Sequence, residues 1–125
     1  MTTLLLIHDD VCVRRRLYIV LEADGYRVLL AANAVEGLSI LRTVVVAAIL
    51  CPLMLPGMPG VQFVHRVRRT PAWEGLPLVL MHLPHQAYLV PHHAITASLP
   101  MSCTAGALRT TLATALGQPR LAASR

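Results

Sequence analysis

Lysine is absent from this sequence: all 11 basic residues are arginine, set against six acidic ones, for a net charge of +5. No step here can use a side-chain ammonium, either as an amine nucleophile or as a compact point charge. The all-arginine usage reads as coding bias rather than a demand for guanidinium groups. Charge of either sign is scarce, at 14% of residues against 55% apolar, which excludes a disordered chain. It also predicts strands buried on both faces, because a sheet with one wet face carries more polar residues. Aromatic residues are only 4%, too few to stack the bases of a nucleic acid. Cysteine is limited to Cys12, Cys51 and Cys103, which share no metal-type spacing. An odd number of thiols without a signal peptide predicts a reduced, cytoplasmic chain with its cysteines mostly buried. The opening "MTTLLLIHDD" lacks a basic n-region, and its apolar run is too short to direct export. The longest apolar stretch, Val44 to Val61, is broken by Pro52, Pro56, Gly57, Pro59 and Gly60, which excludes a membrane span. There is no internal repeat.

What is present is an alternation of short apolar runs and helical stripes, at a length that suits one domain. "TLLLIH" (3–8), "RVLLAA" (27–32), "VVVAAILC" (44–51), "LVLMH" (78–82) and "AITASL" (94–99) read as strands. Val13, Leu17, Val20 and Leu21 share one helical face, and Gly25 is placed to end that helix in the left-handed conformation. Asn33 can cap the next helix, with Glu36 completing a capping box and Leu38 and Leu41 facing inward. Val61, Val64 and Val67 form a third stripe. Ser102 can cap the last helix, whose stripe is Ala105, Leu108, Leu112, Ala115 and Leu116, closed by Gly117. Between His82 and Ala94 the helical signal fails, because Pro84 and Pro91 stand too close for a regular helix. The pattern predicts an α/β domain over residues 1–117: a doubly wound, five-stranded parallel sheet with a short, irregular or missing fourth helix. Residues 118–125, "QPRLAASR", read as a polar tail or the start of a linker.

The stretches "LLLIHDDVCVRRRLYIVLEADGYRVLLAANAVEGLSIL", "LMLPGMPGVQFVHRVRR", "TPAWEGLPLVLM" and "LPM" resemble a response-regulator receiver domain over residues 3 to 117. The resemblance implies the flavodoxin-like strand order 2-1-3-4-5, with the site at the carboxyl edge of the sheet. It also implies a small set of groups there. Two adjacent acidic residues after the first strand hold Mg²⁺, which wants oxygen ligands. An aspartate ending the third strand takes the phosphoryl group, a Ser or Thr ending the fourth reads it, and a Lys ending the fifth pairs with it.

Carried onto this chain, the acidic pair falls on His8 and Asp9, with Asp10 one position late. The phosphoacceptor falls on Pro52, the hydroxyl position on His82 and the lysine on Leu99. The acidic position of the following loop is Pro59. Proline has no side-chain oxygen to phosphorylate. The chain therefore resembles the aspartate-less, or pseudo-receiver, type. The family's Lys-Pro bond is characteristically cis, so the resemblance implies a cis bond between Leu99 and Pro100. His82 and Leu99 are 17 positions apart, fewer than usual for the family, so the edge around Tyr88, His92 and His93 should be remodelled.

Each sharper reading competes with a plainer one. His8, Asp9 and His82 are weak candidates for a metal site; filling and hydrogen-bonding an emptied pocket explains them more simply. "RRR" (14–16) and "RVRR" (66–69) suggest nucleic acid, but on opposite faces of the sheet they form no single stripe, and solvated helix faces account for them. Trp73 and Tyr88 are either partner anchors or ordinary packing. The expected function is a non-enzymatic, cofactor-free regulatory module in two-component signalling or transcription regulation, independent of phosphorylation. It would bind a protein partner or a second copy of itself through Tyr88, His92 and His93, and would contact neither membrane nor nucleic acid. The alternative is a ligand- or metal-sensing domain built on the former phosphorylation pocket.

Overall fold

The computed structural model describes residues 1–117; the 118–125 tail lies outside the described residues. Five strands, β1 (Thr3–Ile7), β2 (Arg27–Ala31), β3 (Ala48–Pro52), β4 (Leu78–His82) and β5 (Ala97–Pro100), form one parallel sheet in the order β2-β1-β3-β4-β5. The helices are α1 (Val11–Ala23), α2 (Ala34–Thr43), α3 (Gly60–Arg68) and α4 (Ala105–Gly117).

Two apolar clusters lie on opposite sides of the sheet. One packs α2 and α3 against Leu5, Ile7, Ile49, Cys51, Leu78 and Leu80. The other packs α1 and α4 against Leu4, Leu6, Leu50, Val79 and Met81. Alternate residues of each strand point to opposite faces, so a strand covered on both sides must be apolar throughout. That is why these strands read as continuous runs. It also puts the arginines of α1 and those of α3 on opposite faces of the domain.

Local signals set most of the joints. Asp24 and Gly25 close α1, with Gly25 at φ 93°, a conformation that costs glycine little. Asn33 Oδ1 accepts from Glu36 N–H at 2.9 Å, while Glu36 Oε1 accepts from Ala32 N–H at 2.8 Å, one residue before the expected capping-box partner.

Several expectations need correction. The third strand begins at Ala48 rather than Val44, because Val45 is 94% exposed and Val44 also faces solvent. Apolar character alone cannot mark where pairing with β1 begins, at Leu4↔Ala48. The fifth strand begins at Ala97, since His92–Ala94 is a 3₁₀ turn. In α3 it is Phe63, with Val64 and Val67, that is fully buried, while Val61 is only half-buried. The cap of α4 is Thr104, whose Oγ1 accepts from Ala107 N–H at 3.0 Å, so Ser102 is displaced from that role and Ala105 is exposed. Only Cys51 is fully buried, its thiol pushed up to about 12 by burial; Cys12 is exposed and Cys103 is intermediate.

The Leu99–Pro100 bond is trans, as every described peptide bond is. β5 runs through this bond and ends at Pro100. His82 pairs with Pro100, and Met101 N–H donates to His82 O at 2.7 Å. The connection from β4 to β5 holds two 3₁₀ turns, Pro84–Leu89 and His92–Ala94, where the alternation called for a helix.

Candidate functional site

The carboxyl ends of β1, β3 and β4 converge on a pocket of about 310 Å³. His8 follows β1 directly. Its N–H donates to Ala31 O at 3.1 Å, which prolongs the edge pairing with β2, and the residue is 8% exposed. Nδ1 accepts from Asp10 N–H at 3.0 Å. A ring nitrogen that accepts cannot carry the proton, so the neutral ring holds it on Nε2. Asp9 Oδ1 lies 3.6 Å from the same Nδ1. An ion pair there would need Nδ1 protonated, at the expense of the Asp10 bond, and burial holds the imidazole pKa below its ordinary value. The neutral, hydrogen-bonded imidazole is therefore the better description. Arg14 Nη1 donates to His8 O at 2.7 Å and ties α1 to this turn.

Asp10 caps α1: its Oδ1 accepts from Val13 N–H at 3.0 Å, and that backbone bond lowers its pKa. Asp9 is exposed and lies outside the pocket walls. The expected acidic position thus faces solvent, and the neighbouring carboxylate serves the helix.

Pro52 ends β3 opposite Met81 and is buried. Ile49 and Leu53 N–H donate to Pro77 O and Met81 O of the β4 side. By alternation the nitrogen of Pro52 faces β1, beyond the last pair Leu6↔Leu50, where a missing N–H costs the ladder little. The loop then turns tightly into α3. Gly60 N–H donates to Leu53 O at 2.8 Å, and a Cβ at Gly60 would collide with the carbonyl oxygens of Pro52 and Leu53.

His82 is half-buried at the end of β4, with Nδ1 2.9 Å from Leu83 O. A carbonyl only accepts, so Nδ1 carries the proton and Nε2 keeps its lone pair. Leu99 does not join this group. It is 7% exposed and packs in the α1/α4 cluster with Met81, Leu108 and Leu112. Met101 lines the pocket instead.

The structure therefore brings together His8, Asp10, Pro52 and His82, and leaves out Asp9 and Leu99. Val13, Arg16, Leu53, Leu83, Gln86, Met54, Met81 and Met101 complete walls that sequence reasoning missed; the three methionines lie within two residues of Pro52, His82 or Leu99, which was the available signal. Magnesium does not fit these residues. It needs several oxygen ligands, and the one carboxylate in the walls is committed to a helix cap. Among the described residues no three His, Cys, Asp or Glu side chains are grouped so as to hold a metal ion, His8, Asp9 and His82 included.

Tyr88 is 83% exposed on the first 3₁₀ turn; His92 and His93 are exposed on the second. Trp73 is half-buried and packs against the α2/α3 cluster. No helix of the described residues is long and apolar enough to cross a membrane.

A parallel 2-1-3-4-5 sheet with its pocket at the carboxyl edge is a flavodoxin-like fold, and residues 4–97 match the response regulator receiver domain model. The chain belongs to that family. It is 40% identical over 81 residues to the transcriptional regulatory protein AfsQ1 of Streptomyces coelicolor, covering 65% of this chain and 35% of AfsQ1. It is 32% identical over 81 residues to the KDP operon transcriptional regulatory protein KdpE of Escherichia coli, with the same coverage. The chain thus spans about a third of the length of these relatives. A crystal structure assigned as a response regulator of Chloroflexus aurantiacus superposes with a TM-score of 0.87 at 28% identity, covering 92% of this chain and 97% of that one. The receiver domain of the sensor histidine kinase PA1611 of Pseudomonas aeruginosa, which holds a magnesium ion in its active-site cleft, gives a TM-score of 0.87 at 19% identity, covering 94% and 98%. At that identity the likeness is one of fold.

Proposed function

We propose that this receiver is of the aspartate-less type and works as a cytoplasmic, phosphorylation-independent protein-interaction module in two-component signalling or transcription regulation. The observation that carries the reading is Pro52 at the buried carboxyl end of β3, where the family resemblance places the phosphoacceptor. A receiver switches when a new charge at the pocket biases a bistable element. Pro52 cannot take a phosphoryl group, Leu99 faces the core rather than the pocket, and Asp10 is committed to α1. Regulation would then follow the concentration or location of the partner, which meets one standing conformation of residues 1–117. Contact through the exposed Tyr88, His92 and His93 fits the place where the chain departs most from a regular receiver.

Acetyl phosphate, or beryllofluoride with Mg²⁺, tests this. The amide NMR signals of His8, Leu53 and His82 should not move. Saturable, Mg²⁺-dependent shifts at those residues would sink the proposal.

A second reading rests on the pocket itself. Buried His8, with a proton on Nε2, and His82, with a free Nε2 lone pair, line a space that is otherwise mostly apolar. A few polar groups converging in an apolar cavity suit a small ligand. A metabolite that raises the melting temperature of the wild-type chain but not of His8→Leu would favour it over the first.

A further inference from the structure

We propose that the groove between α3 and the His92–Ala94 turn docks an acidic segment of a protein partner. This deepens the interaction-module reading and rests on it. The groove has a volume of about 720 Å³. One wall carries His65, Arg66 and Arg69 of the end of α3, and the other carries His93.

Arg68 builds the floor. Its Nε donates to Ala94 O at 2.7 Å, and its Nη1 donates to Leu76 O at 2.7 Å and to Glu74 O at 3.2 Å. Those bonds fasten the 3₁₀ turn to the helix. Phe63, Val64 and Val67, all fully buried, fix the rotation of α3 beneath. The charges therefore stand on a rigid frame, which lowers the ordering cost of binding.

Arg66 and Arg69 are exposed and have no ion-pair partner among the described residues, where the one close contact between a basic and an acidic side chain is that of His8 with Asp9. Glu74 is the one acidic residue of the lining, and it pairs with none of them. Basic residues in a last helical turn suit the helix dipole. The dipole does not account for the facing His93 from another element, nor for the lack of an acidic partner to Arg66 and Arg69. Complementary charge on the partner accounts for both.

A protein segment fits better than nucleic acid. No Phe, Tyr or Trp lines the groove for base stacking. Arg14–Arg16 lie on α1, across the sheet, so among the described residues they do not extend the groove into a longer basic track for phosphates.

The test uses the full chain and a fluorescent Glu-rich peptide, with its Gln-rich counterpart as control. The wild type should bind the first and not the second. R66E/R69E should weaken binding by roughly tenfold or more, and R15E/R109E, at exposed positions of α1 and α4, by less than about twofold, since only the former sits in the groove. His93→Glu should also weaken it, which locates the second wall. If R66E/R69E melts early, Arg66→Gln with Arg69→Gln should still give a clear partial loss. Absence of peptide binding by the wild type would overturn the groove proposal, as would equal losses from the two double variants. Displacement of the peptide by duplex DNA, at concentrations where neutral polymers do nothing, would overturn it in favour of a phosphate-reading surface. None of these results bears on phosphorylation. Beryllofluoride shifts would overturn the underlying reading whatever the peptide does.

Discussion

Strands β1, β3 and β4 bury nearly every residue they contain, whereas the chain from Leu83 to Thr96 buries only Val90. The two regions meet at His82, yet they answer to different constraints. In the sheet each side chain is enclosed by a helix on one face or the other, so its volume matters. In the connection the backbone is held by a few bonds, such as Leu83 N–H to Gln86 Oε1 at 2.9 Å and Arg68 Nε to Ala94 O at 2.7 Å. Most side chains there face solvent wholly or in part. The difference teaches how a receiver fold can be held by its interior while the groups at its carboxyl edge change. Packing depends on the apolar interior, while phosphotransfer depends on a few groups at the edge, where a proline or a histidine is tolerated.

The contrast can be broken most sharply at Phe63. Phe63→Ala should cost about 3–5 kcal/mol of unfolding free energy in urea denaturation, because the ring is fully enclosed. A loss below about 1 kcal/mol would mean the interior adapts more freely than its packing indicates. Gly60→Ala comes next, at about 1–3 kcal/mol, because the new methyl meets the carbonyls of Pro52 and Leu53 rather than a yielding side chain. An unchanged denaturation midpoint would show that the loop can shift. Thr104→Ala should cost about 1 kcal/mol and Ser102→Ala almost nothing, since the hydroxyl of Thr104 caps α4.

His8 sets a pH dependence at the boundary between the two regions. Its pKa in the folded chain lies below the ordinary 6.5, so the unfolded chain binds the proton first. Stability from this group is fully present above about pH 6.5 and falls as the pH drops from there toward the folded value. A melting series across that window should show the decline, and His8→Gln should flatten it. Asp10, with a lowered pKa, adds its own loss only in more acid solution. The smallest effect belongs to the connection: Tyr88→Ala should stay within about 0.5 kcal/mol of wild type. A larger change would mean that the ring is part of the packing after all.

Read from residues alone, the chain discloses its order of elements, its parallel sheet and the failure of a regular helix after β4. Each follows from local chemistry: apolar runs, Gly25, Asn33 with Glu36, and the prolines at 84 and 91. The chemical character of Pro52 is equally plain, since no fold can lend it an oxygen. The rest of the candidate site depends on neighbours from distant parts of the chain. Leu99 turns toward α1 and α4 because those helices cover its face of β5. The Leu99–Pro100 bond is trans where β5 runs on beside His82. The proton of His8 sits on Nε2 because Asp10 N–H occupies Nδ1. Arg68 is a floor and Arg66 a free charge although only two positions separate them, because α3 turns one toward the carbonyls of the 74–94 region and the other toward solvent. Sequence determined what each residue can do; tertiary structure decided which atoms it faces, because at a sheet edge or helix end the direction of a side chain is set by whatever packs above it.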